Sequence, residues 1–163
     1  MRALVLIVFL VCLLNGCAVF APSPLSANYA LEKGAAAEWH WKDTVQPAPA
    51  LIDGDLKTEG ETSREIQIRL PSPRSIHKVR VLGSNYKDAV LYIGGRGDGD
   101  WKMVGRVDEN RSGVIEWTFK SSRADRIRLR ISNTADDRLS AGKLIPGKPI
   151  AAEIEIYGFQ SGK

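Results

Sequence analysis

The stretch Asp125–Ser132, "DRIRLRIS", sets Ile127, Leu129 and Ile131 against Arg126, Arg128 and Arg130. Strict alternation puts every apolar side chain on one side of an extended chain and every charge on the other, the signature of a strand with one dry and one wet face. The same period recurs in "EIQIRL" (65–70), where Ile66, Ile68 and Leu70 alternate with Glu65, Gln67 and Arg69. It recurs again in "GVIEWTF" (113–119) and "AEIEIYG" (152–158). Further strands are expected in "HKVRVL" (77–82), "AVLYIG" (89–94) and "WKMVGRV" (101–107). The polar clusters between them, "LPSPRS" (70–75), "GGRGDGD" (94–100), "DENRSG" (108–113) and "KSSRAD" (120–125), read as turns. Beyond residue 28 no segment sustains an i, i+3, i+4 apolar stripe over a dozen residues. Short strands at this spacing predict an all-β, antiparallel β-sandwich in a single domain.

The first residues have another character. Arg2 precedes an apolar run from Ala3 to Leu14, followed by Asn15-Gly16-Cys17. As a helix that run rises about 18 Å, short of the roughly 30 Å hydrocarbon core, so it reads as the apolar region of a secretory signal. Leu14-Asn15-Gly16-Cys17 resembles the lipobox of bacterial lipoproteins. That resemblance implies a signal peptide over 1–16, cleavage before Cys17 and lipidation of its thiol and amino groups. An ordinary signal peptide cut after Ala21 is the other reading. Cys12 leaves with the leader, so Cys17 is left without a disulfide partner. Several acyl chains on it would anchor the chain durably to a membrane. Ala18 in the next position implies, within that family, a lipid-anchored place in the bacterial cell envelope at the outer membrane. "AVFAPSPLSAN" (18–28) reads as the tether, giving a lipidated segment 17–28 and a domain 29–160.

The chain carries 23 Lys and Arg against 19 Asp and Glu, a formal net charge of +4 that includes Arg2. So mild an imbalance is not the footprint of a nucleic-acid binder. The histidines, His40 and His77, stand in no metal-protease spacing, and no G-x-S-x-G elbow occurs, so a non-enzymatic module is expected. Arg96-Gly97-Asp98 and its flanking glycines read as a hairpin turn whose Trp101 packs into the core. A phosphate loop would open a helix instead.

From Asn28 to Phe159 the chain resembles the discoidin-like domains (coagulation factor V/VIII type C) and the related family 32 carbohydrate-binding modules. The resemblance is carried by "NYALEKGAAAEW" (28–39), "PALIDGDLKT" (49–58) and "IQIRLPSPRSIHKVRVLG" (66–83). "LYIGGRGDGDWKMVG" (91–105), "ADRIRLRIS" (124–132) and "IAAEIEIYGF" (150–159) follow in the family's order. It implies a galactose-binding-like β-sandwich, or jelly roll. It also implies a structural Ca²⁺ held by Asp53, Asp55, Thr58, the carbonyls of Ala50 and Ala152, and Glu153. Oxygen donors around a tight glycine turn suit that ion. The spacing is not that of an EF-hand, since Lys57 and Arg64 stand at its fifth and twelfth positions. An Asx-type turn without metal is the alternative.

For a ligand, "EWHWKD" (38–43) places Trp39, His40 and Trp41 in an early loop near the rim where the resembled families bind. An indole can lie on the apolar face of a sugar while polar groups take the hydroxyls. The expected site is Trp41 with His40, Tyr86 and Arg138, although both tryptophans would share one face of a strand and one or both could fill the core. Glu59-Gly60-Glu61 departs from the tryptophan that sugar-binding relatives commonly carry there. Two functions follow: a membrane-anchored module recognising a glycan, or a structural adaptor of an envelope protein complex with no small ligand.

Overall fold

The computed structural model describes residues 24–95 and 99–160. The leader, Cys17 and Arg96-Gly97-Asp98 lie outside the described residues. Eleven strands follow in chain order among those described. They are β1 (Ala36–Trp41), β2 (Thr44–Pro47), β3 (Gly60–Glu61), β4 (Glu65–Leu82), β5 (Tyr86–Gly94) and β6 (Lys102–Val107). Then come β7 (Ile115–Thr134), β8 (Arg138–Ser140), β9 (Lys143–Ile145), β10 (Ile150–Ala151) and β11 (Glu153–Tyr157). Each segment expected to be a strand overlaps one, with Trp101, Gly113, Val114, Ala152 and Gly158 falling just outside the strand ends.

Two of the expected turns are not turns. "LPSPRS" and "KSSRAD" lie inside β4 and β7, which run through 18 and 20 residues. The pairing of these two strands slips between Arg69 and Arg74 and again between Ile76 and Lys78. Proline cannot donate to a ladder, so Pro71 and Pro73 sit in the first irregularity, where the ladder is interrupted anyway. Bulges at these points carry both long strands from one layer of the sandwich into the other.

The partners confirm the division. Residues 65–69 of β4 pair with β1 on one side and with 126–130 of β7 on the other. Residues 78–82 of β4 pair instead with β11 and with 115–118 of β7. The first layer thus reads β2-β1-β4-β7-β5-β6, antiparallel throughout, and β11 flanks the far end of β4. Ile66, Ile68, Leu91, Ile127 and Leu129 of the first layer and Val79, Val81 and Ile154 of the second enclose one gap of about 10 Å³, so the layers meet face to face. Each such buried aliphatic contributes about 1.5–3 kcal/mol relative to exposure. Trp117 joins this core against β6, where Gly105 leaves room for its indole: a Cβ there would lie 2.2 Å from Trp117 Cδ1.

The domain begins earlier than expected. Ser26 N donates to Gly158 O, Gln160 N donates to Pro24 O, and Leu25 bridges Phe159. Asn28 Oδ1 accepts from Ala30 N at 3.0 Å, capping a 3₁₀ turn, and from Ile156 N at 2.9 Å. Residues 24–28 therefore belong to the sandwich and not to a tether.

Candidate functional site

The segment read as an early loop is the hairpin β1–β2. Trp41 pairs with Thr44, and Lys42 turns the chain at φ 53°. Alternation along β1 turns Ala37 and Trp39 toward the core; Trp41 continues the row past the edge of the core and is 55% exposed. His40, one residue out of phase, faces the opposite side and bonds Glu38 Oε1 through Nε2 at 2.9 Å. His40 and Trp41 therefore do not converge on one ligand.

A groove of about 260 Å³ lies against the two indoles, walled by Thr62, Ser63 and Arg64 on one side and by Pro146–Pro149 on the other. Its walls are fixed by hydrogen bonds, most of them partly buried. Ser63 Oγ–H lies within hydrogen-bond reach of the carbonyls of both His40 and Glu65, tying the chain entering β4 to β1. Thr62 N and Oγ1 both donate to Pro149 O. Arg64 Nη2 donates to Asp137 Oδ1 at 2.7 Å and Nη1 to Ser132 O. Asp137 also accepts from Gly147 N and from Thr134 N and Oγ1. Burial alone would raise the Asp137 carboxyl; the donors from Thr134, Arg64 and Gly147 outweigh it and hold it at about 2. Trp41, with Lys42 Nζ 5.9 Å from its ring centroid, supplies the exposed aromatic surface.

Tyr86 does not reach this rim. It is 1% exposed, its hydroxyl meets Thr62 Oγ1 at 3.2 Å, and burial pushes its pKa up. Tyr86 opens β5 with its ring in the core, although its sequence neighbours Asn85, Lys87 and Asp88 are polar. Arg138 is exposed on β8, across from Ile145 in the β8–β9 hairpin, beside but not lining the groove. Arg64 and Pro146–Pro149, absent from the expected set, form the walls; the paired prolines of "IPGKPI" were the one available signal of a rigid segment.

The acidic loop gathers its expected residues only in part. Pro49–Ile52 form a 3₁₀ turn that ends at Asp53, and Gly54 follows at φ 79°. Thr58 Oγ1 donates to Asp53 Oδ2 at 2.9 Å, and Asp53 Oδ1 accepts from Asp55 N. Glu153, 2% exposed, accepts from Gly54 N through Oε2, while its Oε1 has no hydrogen-bond partner among the described residues. Burial pushes the Glu153 carboxyl up to about 7, against the Gly54 N–H and with help from nearby Asp53 and Glu155. Ala152 is buried beside Glu153 and donates its N–H to Leu82 O. The Asp55 carboxylate is exposed and accepts from Lys57 N. Among the described residues no three His, Cys, Asp or Glu side chains cluster closely enough to hold a metal by themselves. An ion here would need Thr58 and main-chain carbonyls as well. The orphaned, buried Glu153 oxygen is what fits one.

Trp101 departs from expectation too. It packs on the wet face of the first layer against Gly94 and not in the core.

No protein-family model matches the chain, and no curated protein matches it. Solved structures do. Chitosan-binding module 1 of a chitosanase/glucanase from Paenibacillus sp. IK-5 superposes with a TM-score of 0.60 at 19% identity, covering 82% of this chain and 100% of that one. Module 2 of the same enzyme, solved with chitotriose, gives 0.59 at 18% identity over 80% of this chain and 100% of that one. A family 32 carbohydrate-binding module of Clostridium perfringens, in complex with GalNAc-β-1,3-galactose, gives 0.59 at 20% identity over 82% and 100%. Some other matches are whole glycoside hydrolases, of which this chain covers as little as 15%. The fold of this chain is the antiparallel β-sandwich of these carbohydrate-binding modules, the fold that the resemblance to discoidin-like, galactose-binding-like domains implied.

Proposed function

We propose that the chain is a non-enzymatic glycan-binding module and that its ligand lies in the groove beside Trp41. The observation that carries this reading is the pair of indoles on one row of β1: Trp39 is seated against the core, and Trp41 is left open over a groove with rigid polar walls. A sugar presents one apolar face and a ring of hydroxyls, which suits one flat aromatic surface and a few fixed polar groups. Lys148, lining the same groove, and Lys42 beside Trp41 are polar groups within the neighbourhood of that surface. The sandwich matches of similar size, solved with chitotriose and with GalNAc-β-1,3-galactose, support a saccharide as the ligand class.

In the same reading Cys17 is lipidated and holds the module at the bacterial outer membrane, and Ca²⁺ braces the loop 50–58 through Asp53, Asp55, Thr58, Glu153 and the carbonyls of Ala50 and Ala152. Bound there, the ion would neutralise Glu153 and Asp53 and fix the loop; it takes no part in chemistry. An adaptor role has one observation in its favour: the β8–β9 hairpin exposes Leu139 (77%), Leu144 and Ile145. A glycan array probed with the full-length chain and with Trp41→Ala decides between the two. Binding that Trp41→Ala abolishes supports the module; no binding to any glycan leaves the adaptor reading ahead.

A further inference from the structure

The wet face of the first layer holds a second, larger hollow of about 400 Å³, on the opposite side of β1 from the Trp41 groove. Its floor and sides are Gln67, Arg69, Arg128, Glu65, Glu38 and His40. Register brings these together: Gln67 stands opposite Arg128 on β7 and opposite Glu38 on β1, and His40 stands opposite Glu65. The arginine row read from the sequence is therefore not a flat solvated stripe.

Its members are held to different degrees. The Arg128 guanidinium lies 4.0 Å from the Trp101 ring centroid, a stacked pair with the cation over the indole. Gly94 makes the stack possible, since a Cβ there would come 3.0 Å from Trp101 Cε3. Arg128 Nε is 3.3 Å from Glu65 Oε1, without the alignment of a hydrogen bond, because Glu65 also serves Arg130 Nε at 3.0 Å and Gln67 at 3.2 Å. Glu38 is engaged by His40. Arg69 is exposed, and among the described residues its side chain forms no ion pair or hydrogen bond.

We propose that this hollow is a second binding site, one for a carboxylate-bearing saccharide of the uronic-acid class. A planar carboxylate matches the two-pronged donors of a guanidinium. Arg69 has no ion-pair partner among the described residues, and Arg128 is oriented in advance by Trp101. Glu38, Glu65 and Gln67 are acceptors for sugar hydroxyls. Glu38 and Glu65 would repel a doubly charged phosphate group more strongly than a carboxylate, which is why a singly charged carboxylate on a hydroxyl-bearing ring fits better. The volume suits a short oligosaccharide. The site stands apart from the Trp41 groove and does not depend on it.

Titration calorimetry on the purified full-length chain tests this, with trimers of galacturonic, glucuronic and mannuronic acid and with neutral galactotriose as control. At least one uronate trimer should bind, more weakly as salt rises. Arg69→Gln, an exposed change, should weaken it about tenfold or more, as loss of a charge-assisted pair does. Trp41→Ala should leave it unchanged, which separates this site from the loop groove. Failure of all three trimers to bind overturns the proposal, and so does binding that Trp41→Ala removes and Arg69→Gln spares. Arg69-dependent binding to phosphatidylglycerol vesicles, with no uronate binding, would assign the face to a membrane instead.

Discussion

Glu153 Oε2 accepts the N–H of Gly54 at 3.0 Å, although 99 residues of chain separate them. This contact ties the start of β11 to the acidic turn and leaves a buried carboxylate with one oxygen unpartnered among the described residues. A buried charge beside Asp53 is costly unless a cation joins it. With chelator present, Glu153→Gln should therefore raise the thermal midpoint, because it keeps an acceptor for Gly54 and removes the charge. In wild type, added Ca²⁺ should raise the midpoint by mass action, and the variant should not respond. A wild-type midpoint indifferent to Ca²⁺ would reduce the loop to an Asx-type turn.

Asp137 gives a prediction of opposite sign. Its carboxyl is held at about 2, below its ordinary 3.8, so the folded state favours the charged form. That stability is fully present above about pH 4 and is lost as pH falls through the folded value. Asp137→Asn should cost about 1–2 kcal/mol at neutral pH, discounted because Arg64 reaches solvent. It should also flatten the acid limb of a stability-against-pH curve measured by chemical denaturation. An unaltered acid limb would show that the Arg64–Asp137 pair contributes nothing there.

How far the sequence could be read follows from which interactions are local. Alternation of Ile127, Leu129 and Ile131 with arginines depends on two-residue periodicity and is visible along the chain. The passage of β4 and β7 between layers depends on pairing with each other, so Pro71 and Ser121 looked like turn residues in isolation. Tyr86 was misplaced for the same reason: its neighbours in sequence are polar, and its burial comes from strands far along the chain. Trp39 and Trp41 shared a face as alternation requires, but where the core ends along β1 is a tertiary fact. His40 was legible in principle, because a residue between two that share a face must point the other way.

Gly105 carries a packing prediction. A methyl group at that position would overlap Trp117 Cδ1 and Cγ. Both belong to strands of the sandwich, so neither can withdraw cheaply. Gly105→Ala should lower stability by about 1–3 kcal/mol, the usual cost of overpacking a core. Urea denaturation followed by tryptophan fluorescence reads it directly, and pairing it with Trp117→Phe should recover part of the loss. Full stability in Gly105→Ala alone would mean that β6 moves freely over the indole.

The two tryptophans of β1 separate binding from folding. Trp39 packs against the buried cluster, and its truncation should cost about 2–4 kcal/mol, as removal of a partly buried aromatic does. Trp41 lies beyond that cluster, so Trp41→Ala should change the melting curve by no more than about 0.5 kcal/mol. If the groove binds a glycan, Trp41→Ala should nevertheless abolish detectable binding, because the stacking surface is what a neutral sugar offers most area to. His40→Ala should leave that binding intact, since His40 points to the other side of the strand toward Glu38. The four measurements, two stabilities and two affinities, form one test. Large destabilisation by Trp41→Ala would place its indole in the core, and loss of groove binding in His40→Ala would contradict the facing of β1 on which the site is built.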